Sequence, residues 1–592
     1  MHTGKKVVYQ VFTRLFGNTN TTNKVWGTIA ENGVGKFSDF TAKALREIKN
    51  FGVTHIWYTG VPHHALINDY TAFGISNDHP DVVKGRAGSP YAVKDYYNVN
   101  PDLADNPAKR LQEFKALIER THTEGLKLII DIVPNHVARK YEGKTNPTGV
   151  VDFGARDNHQ VCYEVNNNFY YNPGERFKTP EWMNGYIPLG KSEPYPFDTK
   201  FEEYPAKWTG NGSRLSQPHF YDWYETVKLN YGVRPDGTRD FDTLPEGYDK
   251  KDYSDHFEFW KRKDVPDTWI KFRDIALYWT EMGVDGFRYD MAELVPVEFW
   301  SFMNSAIKMK NKEAFLLAEV YDPWQYRNFI HLGKMDYLYD KVEMYDSLKR
   351  IMQGNGNTDE ISAIQYHLGD IEHHMLHFLE NHDEQRIASP EFVGNPMKGM
   401  PAMVVSATLS TSPTMIYFGQ EVGEPGAENA GFGSHSRTSI FDYIGVPNHQ
   451  RWLNNKKFDG GQLSSEEKEL REFYKRLLNF TINSPALMGE YWETHNHNRA
   501  YTQYYNHHLF SFVRFSRDEK LIVVSNFHSS DSFGFELGIP GEIISKWAFA
   551  DGIYKVTDQL DSRFTAQLHV NFGYGKVRVD IQPLGSFIYK IE

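Results

Sequence analysis

KLIIDIVPNH, residues 127–136, is the stretch on which the fold turns. Lys127–Val133 is an almost unbroken apolar run, as in a parallel strand buried on both faces. Just before it, Ala108–Glu124 carries Leu111, Phe114, Leu117 and Ile118 at helical spacing. Pro107 suits the first helical position, and Gly125 suits the residue after the last turn. A helix feeding directly into a buried strand is half of a βαβ unit, and the alternation continues in both directions. The other candidate strands are Val7–Phe12, His55–Thr59, Val284–Asp290, Phe315–Val320, Tyr337–Asp340, Leu376–Asp383 and Thr414–Glu421. Further helical patterns lie at Pro266–Met282, Pro296–Lys310 and Met397–Ser410. Eight strands with interleaved helices predict an α/β fold of the (β/α)8 TIM-barrel type. A doubly wound sheet would need a Gly-rich turn after the first strand, and Phe16-Gly17-Asn18 is not one.

Two regions break the alternation. Residues 137–264 are polar and rich in Asn, Gly, Pro and Tyr. That is too long for a structureless loop, so an inserted subdomain is expected after the third strand. Towards the C-terminus, Leu509–Phe515, Leu521–Asn526, Lys576–Ile581 and Ser586–Ile591 alternate at period two with no helical pattern between them. They predict a C-terminal antiparallel β-sandwich. The expected division is a barrel from 1–136 and 265–490, an insert at 137–264, and the β-sandwich at 491–592.

Composition narrows the function classes. The 592 residues carry 65 Lys and Arg against 77 Asp and Glu, a formal charge of −12. That acidic balance argues against a nucleic-acid partner and against a polybasic membrane anchor. No apolar run approaches the length of a membrane span. Met1–Phe16 lacks the apolar core of a secretory signal. The expected location is therefore the cytoplasm, or the periplasm or exterior for a mature form whose signal has been removed. Cys162 is the one cysteine, which excludes an intrachain disulfide and a multi-thiolate metal site. Nothing in the pattern sets an oligomeric state. Aromatic residues make up 15% of the chain. Tyr91, Tyr96, Tyr97, Phe169, Tyr170, Tyr171, Trp182, Tyr186, Trp208, Phe220, Tyr221, Trp223 and Tyr224 fall in loops and the insert rather than in helix-period stripes. The expectation is a cleft in which these rings stack on sugars.

Barrel active sites lie at the C-terminal ends of the strands. There the third strand runs into Asn135-His136 and the fourth ends in Arg288-Tyr-Asp290. The fifth ends in Glu319, and the seventh in Asn381-His382-Asp383. Asp290, Glu319 and Asp383 would thus meet at one mouth, with Arg288, His136 and His382 beside them. Clustered carboxylates without thiolates suit glycosidic bond cleavage, which needs one protonated acid and one ionised carboxylate. Residues i and i+2 of a strand share a face, so Arg288 would hold Asp290 ionised.

DIVPNH (131–136), GVDGFRYD (283–290), LLAEV (316–320) and FLENHD (378–383) occur in this order. Their order and spacing resemble the four signature regions of the α-amylase family of glycoside hydrolases. DWYETVKLN (222–230), MIYFGQE (415–421) and SPYAVKDYYNVNP (89–101) add to the likeness. It spans about residues 7–480, together with the C-terminal β-domain typical of the family. The resemblance implies that Asp290 is the nucleophile and Glu319 the general acid and then base. Asp383 would grip the 2- and 3-hydroxyls of the sugar. Arg288 would orient Asp290, His136 and His382 would bind hydroxyls at the −1 subsite, and Tyr91 would stack under that sugar. Arg386 would line the same subsite or the next. Many members follow the nucleophile with a Lys-His pair; here the run is Asp290-Met-Ala-Glu293-Leu294, which places Glu293 near the plus-side subsites. The implied reaction is retaining, with carboxyls about 5–5.5 Å apart. The implied substrates are α-1,4-linked starch, glycogen or maltooligosaccharides. A transglycosylase or isomerase of the same fold is one alternative, and a non-catalytic carbohydrate-binding scaffold another; the intact carboxylates speak against the latter.

No cofactor is required by this chemistry. The family's structural calcium often uses the Asn of the first region, here Asn135, with a main-chain carbonyl near Leu294 and an Asp of the insert. Asp152, Asp157 and Asp222 are the candidates for that third ligand. Other motifs carry less. GAENAGFG (426–433) lacks phosphate-loop spacing and reads as a substrate-lining or surface loop. His373, His374 and His377 lack a distal ligand cluster, and His63-His64 suit rim contacts better than metal.

Overall fold

Eight parallel strands close on themselves in the order the chain supplies them. The computed structural model describes residues 4–191, 197 and 199–592. Met1–Thr3 of the N-terminal reading, and 192–196 and 198 of the insert, lie outside the described residues. The barrel strands are β1 (Val7–Phe12), β2 (His55–Thr59), β3 (Lys127–Ile132) and β4 (Gly286–Tyr289). They continue with β5 (Phe315–Ala318), β6 (Tyr337–Tyr339), β7 (Met375–Phe378) and β8 (Thr414–Tyr417). Several end earlier than their apolar runs. Asp290 and Glu319 directly follow the ends of β4 and β5, their amides still bonded to the Ile132 and Tyr289 carbonyls, and Asp383 lies beyond the end of β7, so all three reach one rim.

Period-two alternation sorts the strand residues. Val8, Trp57, Ile129, Phe315, Leu317, Tyr339, Leu376, Phe378 and Met415 point into the barrel and pack together. Their neighbours Val7, Ile56, Leu128, Ile130, Phe287, Leu316 and Leu338 point outward to the helices. Each fully buried side chain of this kind contributes about 1.5–3 kcal/mol relative to exposure. The inward series turns polar towards the C-terminal rim: Ile129 is followed by Asp131, Leu317 by Glu319, and Arg288 by Asp290. One outer helix ends at the glycine expected of it, though its proline precedes the helix rather than opening it. Asp267–Met282 starts after Pro266 and stops at Gly283, whose φ of 109° is left-handed.

The insert lies between β3 and β4. It holds short antiparallel pairs, His136–Ala138 with Thr226–Lys228 and Tyr171–Asn172 with Ala206–Lys207. Helix Tyr253–Trp260, at the end of the stretch expected as insert, packs on the barrel helix Val297–Lys310. Both His256 Nδ1 and Trp260 Nε1 lie 2.7 Å from Ser301 Oγ.

The C-terminal region is an eight-stranded antiparallel sheet. Its strands are β9 (Glu490–Glu493), β10 (Leu509–Phe515), β11 (Lys520–Asn526), β12 (Phe533–Ile539), β13 (Gly552–Asp558), β14 (Thr565–Asn571), β15 (Tyr574–Ile581) and β16 (Ser586–Ile591). Hydrogen bonds run through all eight in the order 9-10-11-16-13-14-15-12. One core joins Leu509 and Val513 of β10 to Leu537 of β12 and Val577 of β15, so the two faces of the sandwich belong to one curled sheet. The alternate residues Phe510 and Phe512 join the barrel core instead, so β10 is buried on both sides. Contrary to expectation two helices, His495–Tyr501 and Gly541–Trp547, interrupt the strands; at seven residues each they are too short for periodicity to reveal.

Candidate active site

At the barrel mouth the side chains assemble around Arg288. Arg288 is fully buried, and its Cα stands opposite Asp131 on β3 and Leu317 on β5. Its Nη1 donates to Asp290 Oδ1 at 2.8 Å and its Nη2 to Glu319 Oε2 at 3.0 Å. Nη1 also faces Asp131 Oδ1 at 3.5 Å, and Nε donates to Tyr339 Oη at 3.2 Å. The i, i+2 relation of Arg288 and Asp290 therefore holds in space. The same guanidinium reaches Glu319, which the sequence alone does not indicate.

Glu319 has two further donors. Tyr321 Oη donates to Oε1 at 2.6 Å, and the Met291 amide donates to Oε2 at 2.9 Å. Met291 has φ 43° and ψ 43°, a left-handed conformation that costs a non-glycine residue roughly 1–3 kcal/mol. That kink aims its N–H at Glu319.

Asp383 lies beyond the end of β7, with 39% of its side chain exposed. His382 Nε2 stands 3.0 Å from its Oδ2 and 2.6 Å from Tyr91 Oη. Gln10 Nε2 meets His382 Nδ1 at 2.9 Å. Tyr91 stacks on His382 with centroids 5.2 Å apart. His136 Nε2 lies 3.9 Å from Asp290 Oδ2, and its ring packs on Trp223 at 5.2 Å.

These contacts split the carboxylates electrostatically. Burial, reinforced by the charge of Glu319, pushes Asp290 well above the usual carboxylate range; Arg288 opposes the shift without cancelling it, which corrects the expectation that this guanidinium by itself holds Asp290 ionised. Asp383 is partly exposed, and the desolvation it does undergo would by itself raise it. The adjacent His382 and the charges of Arg288 and Arg437 outweigh it and take Asp383 down to about 2. Burial, helped by Lys228 and Lys84, lowers His136 to about 3, so its ring is neutral at ordinary pH.

Asp290, Glu319, Asp383, Arg288, His136, His382 and Tyr91 thus form one site. Arg386 does not join it. It is fully buried: Nη1 bonds Glu380 Oε2 at 2.8 Å and the Phe418 carbonyl at 2.9 Å, and Nε bonds Thr438. The subsite contact expected of it is corrected, because its bonded nitrogens are turned to a buried carboxylate, a threonine hydroxyl and the carbonyl just past β8. Glu293 sits one turn outward, where Oε2 accepts from the Tyr321 and Asp322 amides at 2.9 and 3.0 Å. It lines a cavity of about 750 Å³ with Trp208, Lys228, Leu294 and Asp322.

The stacking cleft also needs correction. Of the thirteen aromatic residues singled out, Tyr96, Tyr97, Phe169, Tyr171 and Tyr224 are buried packing residues, Tyr91 is buried in the site against His382, and Tyr170 and Trp208 are largely buried along the cavity beside Glu293. Only Trp182, Tyr186, Phe220, Tyr221 and Trp223 retain accessible faces. Tyr186 meets Trp182 at 5.3 Å, Phe220 at 5.4 Å, and Phe432 of the 426–433 loop at 5.8 Å. His63 and His64 are buried in a strand paired antiparallel to Val93–Val99 rather than at the rim. His377 turns Nδ1 to the Ser406 carbonyl, away from the mouth.

Sequence reasoning missed Asp131, Tyr339, Tyr321 and Gln10. Asp131 was legible, since it stands in the quoted DIVPNH segment two residues after an inward-facing Ile129. Tyr321 and Gln10 carry no local signal.

The residues proposed for calcium do not fit that ion. Lys228 Nζ donates to Asn135 Oδ1 and, at 3.2 Å, to the Leu294 carbonyl, the two oxygens the resemblance assigned to the metal. Asp152 is bonded to Gly143 and Asn146, Asp157 to the Asn168 and Phe169 amides, and Asp222 to His219 and Asn211. Among the described residues, no three His, Cys, Asp or Glu side chains gather as a metal site. Burial lowers the Lys228 amine to about 7, while both hydrogen-bond partners are oxygens that favour the ammonium.

A barrel with paired buried carboxylates at its mouth defines a class, enzymes that act on glycosidic bonds. The description "Alpha amylase, catalytic domain" matches residues 10–224 and 254–457. The chain belongs to the α-amylase family of glycoside hydrolases. It is 22% identical over 539 residues to neopullulanase 2 of Thermoactinomyces vulgaris, covering 88% of this chain and 69% of that protein. It is 22% identical over 570 residues to alpha-amylase 3 of Dictyoglomus thermophilum, covering 89% and 86%. A maltogenic alpha-amylase from Thermotoga neapolitana superposes with a TM-score of 0.60 at 16% identity, covering 99% and 98%. The chain is accordingly an α-glucan-active glycoside hydrolase.

Proposed function

We propose that this chain hydrolyses α-1,4-glucosidic bonds of starch, glycogen or maltooligosaccharides with retention, through a covalent glycosyl-enzyme. The observation that carries the reading is the single guanidinium of Arg288 bonded to both Asp290 and Glu319. A shared guanidinium favours the short carboxyl separation of retaining enzymes over the wider gap that admits a water. Asp290 attacks the anomeric carbon, and Arg288 at 2.8 Å stabilises its charge before attack and after release. Glu319 hands its proton to the departing glycosidic oxygen, then takes one from the water that cleaves the intermediate. Asp383 and His382 bind the sugar hydroxyls, and burial of the mouth strengthens these contacts.

Transfer to a sugar acceptor is the second reading. The roughly 750 Å³ cavity beside Glu293 favours it, as a place for an acceptor to compete with water. Proton NMR of maltoheptaose digestion tests the main reading. An initial α-anomer is expected, and an initial β-anomer would refute retention. Products longer than the substrate would favour transfer. Trapping with a 2-fluoro glycosyl fluoride should label Asp290; label on any other residue refutes its role as nucleophile.

A further inference from the structure

We propose that the ammonium of Lys228 stands in for a structural divalent cation, locking the insert to the barrel with a charge the chain carries itself. Lys228 ends the insert strand Thr226–Lys228, whose partner strand begins at His136 in register with it. Its Nζ binds Asn135 Oδ1 from the loop after β3 and the Leu294 carbonyl from the turn after β4. Asn135 Nδ2 in turn donates to the Gly210 carbonyl of the insert at 2.9 Å, and the Leu229 amide donates to the Asn135 carbonyl at 3.1 Å. Three segments far apart in sequence thus converge on one cationic centre. A hard divalent ion there would need six to eight oxygens, typically with carboxylates among them. The insert's candidate carboxylates are engaged elsewhere, and the ammonium already occupies the oxygens that remain.

The clasp has a functional consequence. Lys228 adjoins His136 through Asn135, and Lys228, Glu293 and Leu294 share the wall of one cavity. Lys228 is therefore a positioning residue: it fixes the ring that faces Asp290 and the side of the mouth where an acceptor would lie.

Thermal unfolding and calcium binding test this without reference to turnover. The full chain, stripped with EDTA, should melt at the same temperature with and without millimolar calcium, and titration calorimetry should show no calcium bound. Lys228→Met should melt several degrees lower, and calcium should not restore it. Lys228→Asp puts a carboxylate beside Asn135 Oδ1 and the Leu294 carbonyl. It should melt low in EDTA and be raised by calcium, with one ion bound per chain. A wild-type protein that binds one calcium and loses that binding in Asn135→Ala would overturn the proposal. So would a Lys228→Met protein as stable as wild type, or a folded Lys228→Asp protein indifferent to calcium. If Lys228→Asp does not fold, the wild-type and Lys228→Met measurements decide.

Discussion

Replacing Arg288 tests the electrostatic core of the site most directly. Arg288→Lys keeps one positive charge but loses the fork, so an ammonium can serve Asp290 or Glu319 but not both. One lost charge-assisted hydrogen bond costs about 1.5–3 kcal/mol, or roughly ten- to hundredfold in kcat/KM. Arg288→Gln removes the cation and leaves Asp131, Asp290 and Glu319 uncompensated. Breaking a buried ion network this way costs about 3–5 kcal/mol, roughly two to four decades in rate if it falls on the transition state. The direction of the pH effect is also set. Asp290 must be ionised to attack and is already held above the ordinary carboxylate range, with Arg288 opposing the shift. Losing Arg288 therefore moves the acid limb of kcat/KM to higher pH, and Arg288→Lys moves it less. The assay is kcat/KM on maltoheptaose across pH, with circular dichroism confirming the fold. An acid limb that stays put or moves down in Arg288→Gln, or an Arg288→Lys enzyme with full kcat/KM, would refute the reasoning.

Other outcomes follow from the same geometry. Asp290→Asn and Asp383→Asn should each lose activity by several orders of magnitude but shift stability in opposite directions. The folded pKa of Asp290 is raised, so its contribution is present below about 3.9 and is lost as pH rises through the folded value. Asp290→Asn should therefore melt higher than wild type at neutral pH. Asp383 is held at about 2, so its contribution is present above about 3.9 and fades as pH falls towards 2. Asp383→Asn should melt lower at neutral pH, and equal shifts of one sign would contradict the assignment. Tyr321→Phe removes the donor to Glu319 Oε1 and should lower kcat roughly tenfold or more with KM little changed; unaltered kcat would deny Tyr321 that part. Arg386→Met leaves Glu380 buried and unpaired, at a cost of about 3–5 kcal/mol of stability. Its melting temperature should fall while KM holds. A raised KM with intact stability would return Arg386 to the substrate site.

Strand alternation and polar strand ends, both local properties, made the barrel and most of the site legible. An apolar run bounded by a helix and a polar turn has few ways to be buried, and its period of two assigns Asp131, Arg288, Asp290 and Glu319 to the inner face at the rim. The aromatic residues show where this logic stops. Tyr96 and Tyr171 fall in loop sequence, yet both are buried, Tyr96 against Phe272 of a barrel helix and Tyr171 within the insert, and no periodicity marks a residue that packs against a distant segment. Arg386 fails for the same reason. Its motif places it near Asp383, but which way a guanidinium turns depends on Glu380, Phe418 and Thr438, held there by three separate segments. Lys228 is the plainest case. The resemblance to the family, not the spacing, marks Asn135 and a carbonyl near Leu294 as oxygens that would hold a cation. That the cation is a side chain from the insert is decided by the pairing of strand His136–Ala138 with Thr226–Lys228. Sequence by itself determined which residues carry charge and which strand ends present it. Only the tertiary structure decided which charges meet, because ion pairing depends on distances between segments that local periodicity does not encode.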